Sequence, residues 1–65
     1  MNTFTLFLIG RSIGRQAFKS GNACIPSADG TLINRQKNFS DNAQKHLADG
    51  FIEGWRGAEL DNSGW

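Results

Sequence analysis

Glycine recurs at four-residue spacing in two places, Gly10 and Gly14 in "GRSIG" and Gly50 and Gly54 in "GFIEG", each inside a stretch that otherwise patterns as helix. A glycine in a helix interior costs about 1 kcal/mol relative to alanine, so four of them give up roughly 3–4 kcal/mol of helix propensity. The chain has 65 residues, near the size at which one apolar core only just offsets chain entropy, so the loss must be recovered elsewhere. Small residues four apart let two helix backbones approach closely. The first row continues through Ala17 and Gly21, the second through Gly57. Close antiparallel packing, with Phe51 and Trp55 gripping the edges of the groove, recovers the loss, because a buried large aromatic side chain is worth about 2–3 kcal/mol. A bare backbone kept open for a partner is the other use of such glycines.

The chain contains no valine or tyrosine, which leaves few strand-favouring residues and makes helix the default. Apolar side chains at Leu6, Ile9, Ile13 and Ala17 repeat helically over residues 4–20, with Thr3 as N-cap and Gly21-Asn22 as stop. Phe4, Phe7 and Leu8 make the first turns apolar on nearly every side and need cover beyond one neighbouring helix. A strand over residues 3–9 is the competing reading of that end. Ala43, Leu47, Phe51, Trp55 and Ala58 line one stripe of a second helix over residues 41–60, opened by a capping-box pattern at Asp41 and Gln44 and closed by Asn62-Ser63-Gly64. Between the two, residues 22–40 hold the only proline, with Ile25, Leu32, Ile33 and Phe39 as anchors folding the connector over the core. A helical turn over Leu32–Lys37 and a hairpin at Asp29-Gly30 both fit this segment, and turn geometry accounts for Gly30.

"GRQAFKSG", with Gly14, Ala17 and Gly21, followed by "CIP" and then "FIEGWRGA", resembles the ribosome modulation factor family over roughly residues 11–60. That family carries Gly, Ala, Gly and Gly at offsets 0, 3, 4 and 7, then Cys-Pro, then a Trp-x-x-Gly-Trp-x-x-Ala helix. Here Phe18 takes the place of one glycine, Ile25 separates Cys24 from Pro26, and Phe51 replaces the first tryptophan, while Gly54, Trp55, Arg56 and Ala58 are kept. The resemblance implies two helices joined by a linker and a small bacterial or phage-like protein that acts without catalysis, by binding the ribosome near the messenger path.

Arg11, Arg15 and Lys19 step along the first helix at four-residue intervals, and such a stripe can follow a phosphate backbone. The plainer use of these cations is a solvated face pairing with acids on the second helix. His46, Asp49 and Glu53 share one side of the second helix but find no further partner of metal-site type, so Asp49 is expected to pair with Lys45, and Glu53 with Arg56. Cys24 cannot form an internal disulfide, and with His46 it makes no nucleophile motif. The opening "FTLFLI" is too short to span a membrane and lacks the features of a signal peptide, so a cytoplasmic protein is expected.

The expected fold is therefore all-α, one domain over residues 1–65: a two-helix hairpin with an ordered connector, completed by a homodimer or a bound partner. Gly10, Gly14, Gly50, Gly54, Phe51 and Trp55 are its structural positions. No enzyme, cofactor or metal site is expected. One expected function is a ribosome- or RNA-directed factor that modulates translation, with Arg11, Arg15, Lys19 and Arg56 on phosphate. The other is a phage- or plasmid-encoded inhibitor of a host protein complex, anti-CRISPR-like, anchored by Phe39, Trp55, Arg56 and Trp65. A net charge of only +1 favours the second.

Overall fold

The computed structural model describes residues 2–63, which are mostly helical: α1 spans Thr3–Lys19, a 3-10 turn Pro26–Ala28, α2 Gly30–Gln36 and α3 Asp41–Ser63. Trp65 and Gly64, named above as a binding anchor and a helix stop, lie outside the described residues. Residues 3–9 are helix, and the strand alternative falls away. The N-cap of α1 is Asn2, one residue before the expected Thr3; its side-chain oxygen accepts from the Thr5 N–H at 2.7 Å. At the other end, the Asn22 N–H donates to Ala17 O at 2.9 Å and the Gly21 N–H to Phe18 O at 3.0 Å, with Gly21 at φ +79°. This is a complete Schellman termination, and it needs the left-handed conformation that glycine adopts freely.

The two long helices run parallel, where a hairpin requires them antiparallel. Gly10 faces Leu47 and Gly14 faces Phe51, while Gly50 faces Phe7 and Gly54 faces Arg11. Both members of each pair advance together along the chain, and Phe18 with Trp55 and Arg15 with Asp61 keep the same sense. The connector makes this topology available. α1 has 17 residues and rises about 25 Å, and the segment from Ser20 to Ser40 returns the chain over that length before α3 begins. A tight loop could not do so.

At each of the four glycines an added Cβ would stand closer than 3.0 Å to a backbone carbonyl of the facing helix. The α-hydrogen in that direction therefore points at the oxygen, giving four Cα–H···O contacts to Leu47, Phe51, Phe7 and Arg11. Such contacts are worth roughly 0.5–1 kcal/mol each. Close backbone approach is what the spacing of these glycines predicts, and the structure places it at all four.

To one side of this seam lies the core, where Leu32 of α2 joins Leu6, Ala17, Leu47 and Phe51, with Leu32, Leu47 and Phe51 fully buried. Ile9, Ile13, Cys24, Phe39, Ala43 and Trp55 pack around them half-buried. Phe39 is thus part of the core's margin and not a spare surface aromatic. Ile25 and Ile33, expected as anchors, are 50% and 43% exposed. The α2 segment is helical because the Asp29 carboxylate, itself buried, accepts from the Leu32 N–H at 3.0 Å and caps it. Gly30 is accordingly the first residue of a helix and not part of a hairpin turn. Nothing lies within 4 Å of an added Cβ there, and its φ is not in the left-handed region. Gly30→Ala should raise stability by about 0.4–1 kcal/mol, by restricting the unfolded chain. A denaturant midpoint that falls instead would show a constraint on Gly30 that the fold does not reveal.

α3 also begins differently from the expected capping box. Ser40 is its cap, with Oγ accepting from the Ala43 N–H at 3.2 Å. Asp41 occupies the first turn. The Gln44 side chain turns away to donate to Gln36 O at 3.2 Å and Phe39 O at 2.9 Å. It thereby gives Gln36 O a second donor beside the Phe39 N–H and satisfies Phe39 O just past α2, so one side chain ties the end of α2 to α3.

Candidate interaction surface

The glycine seam divides each long helix into two sides. Successive residues lie about 100° apart around a helix. On α1 the core residues Ile9 and Ile13 immediately precede Gly10 and Gly14, and Arg11 and Arg15 immediately follow them. On α3 the order is inverted: Phe51 and Trp55 follow Gly50 and Gly54, and Asp49 and Glu53 precede them. Parallel helices require this inversion if their core sides are to coincide. Arg11 and Arg15 therefore share an outer face with Asp49 and Glu53, opposite the connector. Phe4 and Leu8, in helical line with Arg11 and Arg15, belong to the same face and remain 66% and 43% exposed. Among the described residues, none covers Phe4 and Leu8.

The basic stripe is only partly free. Arg15 Nη2 donates to Asp61 Oδ2 at 2.8 Å, the one ion pair among the described residues. Its guanidinium passes close to Gly57, where an added Cβ would meet Nη1 at 3.2 Å. The expected pairs Asp49–Lys45 and Glu53–Arg56 do not form among the described residues. Arg11 and Lys19 are exposed and make no ion pair there. Arg56 follows Gly54 by two residues, which turns it about 200° away from the α1 seam. It stands near Cys24 instead, close enough to oppose part of the rise that burial imposes on the thiol's pKa. The four cations grouped by the sequence thus divide between two places, with Arg11, Arg15 and Lys19 on α1 and Arg56 beside the connector.

Trp55 latches the same region. Its Nε1–H donates to Asn22 O at 2.9 Å, and its ring meets Phe18 edge-on at a centroid distance of 5.2 Å. Half of its role is therefore to pin the chain where it leaves α1, which goes beyond the core anchor expected from the stripe. Phe18, the residue standing where the resembled family has a glycine, supplies the other ring. Cys24 lies just beyond this latch, half-buried. Desolvation pushes its thiol above the ordinary value of 9.0, and Glu59 adds to that while Arg56 opposes it. The folded protein holds this proton more tightly than the unfolded chain does. Stability linked to Cys24 is accordingly full below the ordinary thiol range and declines as pH rises through the raised value. Reaction with a thiol-specific disulfide reagent at pH 8 should be slower than for the urea-unfolded chain. Equal rates would place the thiol in free solvent.

No helix among the described residues is long and apolar enough to cross a membrane. Nor does any group of three or more His, Cys, Asp or Glu residues there stand ready to hold a metal ion, His46, Asp49 and Glu53 included. What the geometry defines is a helical protein with a glycine-locked parallel helix pair and a mixed apolar and charged outer face. No protein-family model matches the chain, and no curated protein or solved structure does either.

The sequence alone picks out Arg11, Arg15 and Lys19 as a stripe on one helix and shows Phe4 and Leu8 only as residues in need of cover. The helical spacing of Phe4, Leu8, Arg11 and Arg15 was the signal that could have joined them into one row. The acids were harder to place, because their side depends on the direction of α3 relative to α1.

Proposed function

We propose that this protein is a non-enzymatic binding protein that docks its outer α1–α3 face on another protein, as a small inhibitor of a host complex would. The observation that carries this reading is the exposure of Phe4 and Leu8, 66% and 43%, in one row with Arg11. Interfaces draw most of their energy from a few aromatic, aliphatic and arginine anchors surrounded by polar residues. Asp49 and Glu53 on the same face disfavour a polyanion, and Asp61 already neutralises Arg15. A second reading, the ribosome- or RNA-directed factor suggested by the family resemblance, draws on Arg11 and Lys19, which are exposed at helical spacing on α1.

Salt separates the two. About three phosphate contacts, each contributing a slope near −0.7 to −0.9, weaken RNA binding roughly 20- to 40-fold when salt rises fourfold. The experiment measures binding to purified ribosomes and to a single-stranded RNA by anisotropy, alongside recovery of protein partners from a bacterial lysate. The expected result is recovery of a protein that survives the salt increase and is lost with Phe4→Ser or Leu8→Ser. RNA binding with the steep slope, weakened by Arg11→Ala and Lys19→Ala and indifferent to Leu8→Ser, would overturn it in favour of the ribosomal reading.

A further inference from the structure

We infer that Asp29-Gly30 is the site at which this chain isomerises to isoaspartate, and that opening of α2 gates the reaction. The sequence holds two Asp-Gly pairs, Asp29-Gly30 and Asp49-Gly50. A glycine after aspartate puts no side chain in the way when its nitrogen attacks the aspartate Cγ, and it leaves the backbone free to turn. In that reaction an N–Cγ bond forms and a Cγ–O bond of the protonated carboxyl breaks. The oxygen leaves as water with the amide proton and the carboxyl proton, and a cyclic imide remains. Water then adds to one of the two imide carbonyl carbons. Addition at Cγ regenerates aspartate. Addition at the main-chain carbonyl breaks its bond to the glycine nitrogen and gives isoaspartate, with the chain routed through Cβ and Cγ.

The fold treats the two pairs differently. Asp49-Gly50 lies inside α3, where the Gly50 N–H is bonded within the helix. Gly50 is also buried in the seam, where an added Cβ would stand closer than 3.0 Å to Phe7 O. Its nitrogen reaches Cγ only if α3 unwinds and the two long helices part, which amounts to unfolding the chain. Asp29-Gly30 stands instead at the start of α2. There the Asp29 carboxylate is only 7% exposed and accepts from the Leu32 N–H at 3.0 Å. The Asp29 ψ of 114° turns the Gly30 nitrogen away from Cγ. These restraints last only while α2 is docked, and α2 has 7 residues with Leu32 as its one buried residue. A helix this short is not stable alone, so it belongs with the segments that open locally at low free energy. Gly30 is the first residue of α2, and no carbonyl of the helix takes up its N–H. Isoaspartate cannot restore the cap, because its free carboxylate sits on Cα and its backbone is an atom longer. Leu32 then has no register in which to return, and the change is one-way for the fold.

The test keeps the full chain at neutral pH for weeks, folded or in urea, and resolves isoaspartate at each pair by peptide mapping with tandem mass spectrometry. In urea both pairs should react at similar rates. In the folded chain Asp29 should be slower than in urea, yet at least about tenfold ahead of Asp49, because local opening is more frequent than unfolding. Gln44→Ala removes the bonds to Gln36 O and Phe39 O that tie α2 to α3, and it should speed the reaction at Asp29 about fivefold. Gly30→Ala leaves room for its methyl group in the folded chain and places that group in the path of attack, so it should suppress the Asp29 product. Isoaspartate that appears at Asp49 as early as at Asp29 overturns the inference. So does an Asp29 rate equal to that in urea, or one indifferent to Gln44→Ala.

Discussion

Gly54→Ala should destabilise the protein by about 2 kcal/mol or more, although alanine is the better helix former. The single added carbon would stand closer than 3.0 Å to the carbonyl of Arg11, with the carbonyl carbon at 2.8 Å. Those are backbone atoms of α1 and cannot rotate aside, so the helices must separate. Separation also loosens the neighbouring contacts at Gly10, Gly14 and Gly50, because all four belong to one seam. Overpacking a fitted interior costs about 1–3 kcal/mol and sometimes more, and backbone obstruction belongs at the upper end. The intrinsic gain of about 1 kcal/mol for replacing glycine in a helix does not offset it. A domain of 65 residues has only about 3–10 kcal/mol to lose.

Gly57→Ala is the internal control. Its added carbon meets only the end of the flexible Arg15 side chain, at 3.2 Å, and the helix gain should dominate there. Urea melts followed by far-UV circular dichroism distinguish the two. A Gly54→Ala protein as stable as Gly57→Ala would show that the seam opens at little cost.

Phe51→Ala should be the larger loss, costing about 3–5 kcal/mol, the usual range for removing a large aromatic from a core. Phe51 is fully buried, and its main chain also forms the wall against which Gly14 packs. The void would open beneath the seam itself. Trp55 is the informative comparison, since the helical stripe gives the two aromatics equal standing. Only half-buried, Trp55 owes part of its effect to the Nε1–H donated to Asn22 O. Trp55→Phe keeps a ring against Phe18 and removes that hydrogen bond, at a cost of about 0.5–1.5 kcal/mol. Its consequence should be local, seen as faster amide exchange at Gly21 and Asn22, whose N–H groups close the Schellman turn. If Trp55→Phe destabilises as much as Phe51→Ala, the latch contributes far more than one exposed hydrogen bond.

The partition between sequence and tertiary structure follows from the range of the interactions concerned. Helical periodicity is a local property, and so the apolar stripe through Leu47, Phe51 and Ala58, the helical class and the Gly21-Asn22 stop could be read directly. The glycine pairs could also be read as a close approach, since packing two helices backbone to backbone offsets their cost inside helices. Errors of one residue at the caps, Asn2 for Thr3 and Ser40 for Asp41, reflect neighbouring polar residues that are nearly equivalent as caps until the backbone geometry selects one. The direction of α3 was a different matter. Spacing says that two glycine rows meet and is silent on their relative sense, because a row four apart presents the same outline from either end. The connector settles that sense, through Leu32 buried in the core and Gln44 reaching back to the end of α2, contacts that join residues distant in sequence. With the helices parallel, Asp49 and Glu53 fall on the face of Phe4, Leu8 and Arg11, while Arg56 turns away from it. The residues themselves were therefore legible in the chain, and which of them stand together was decided only when α2 brought α3 back alongside α1.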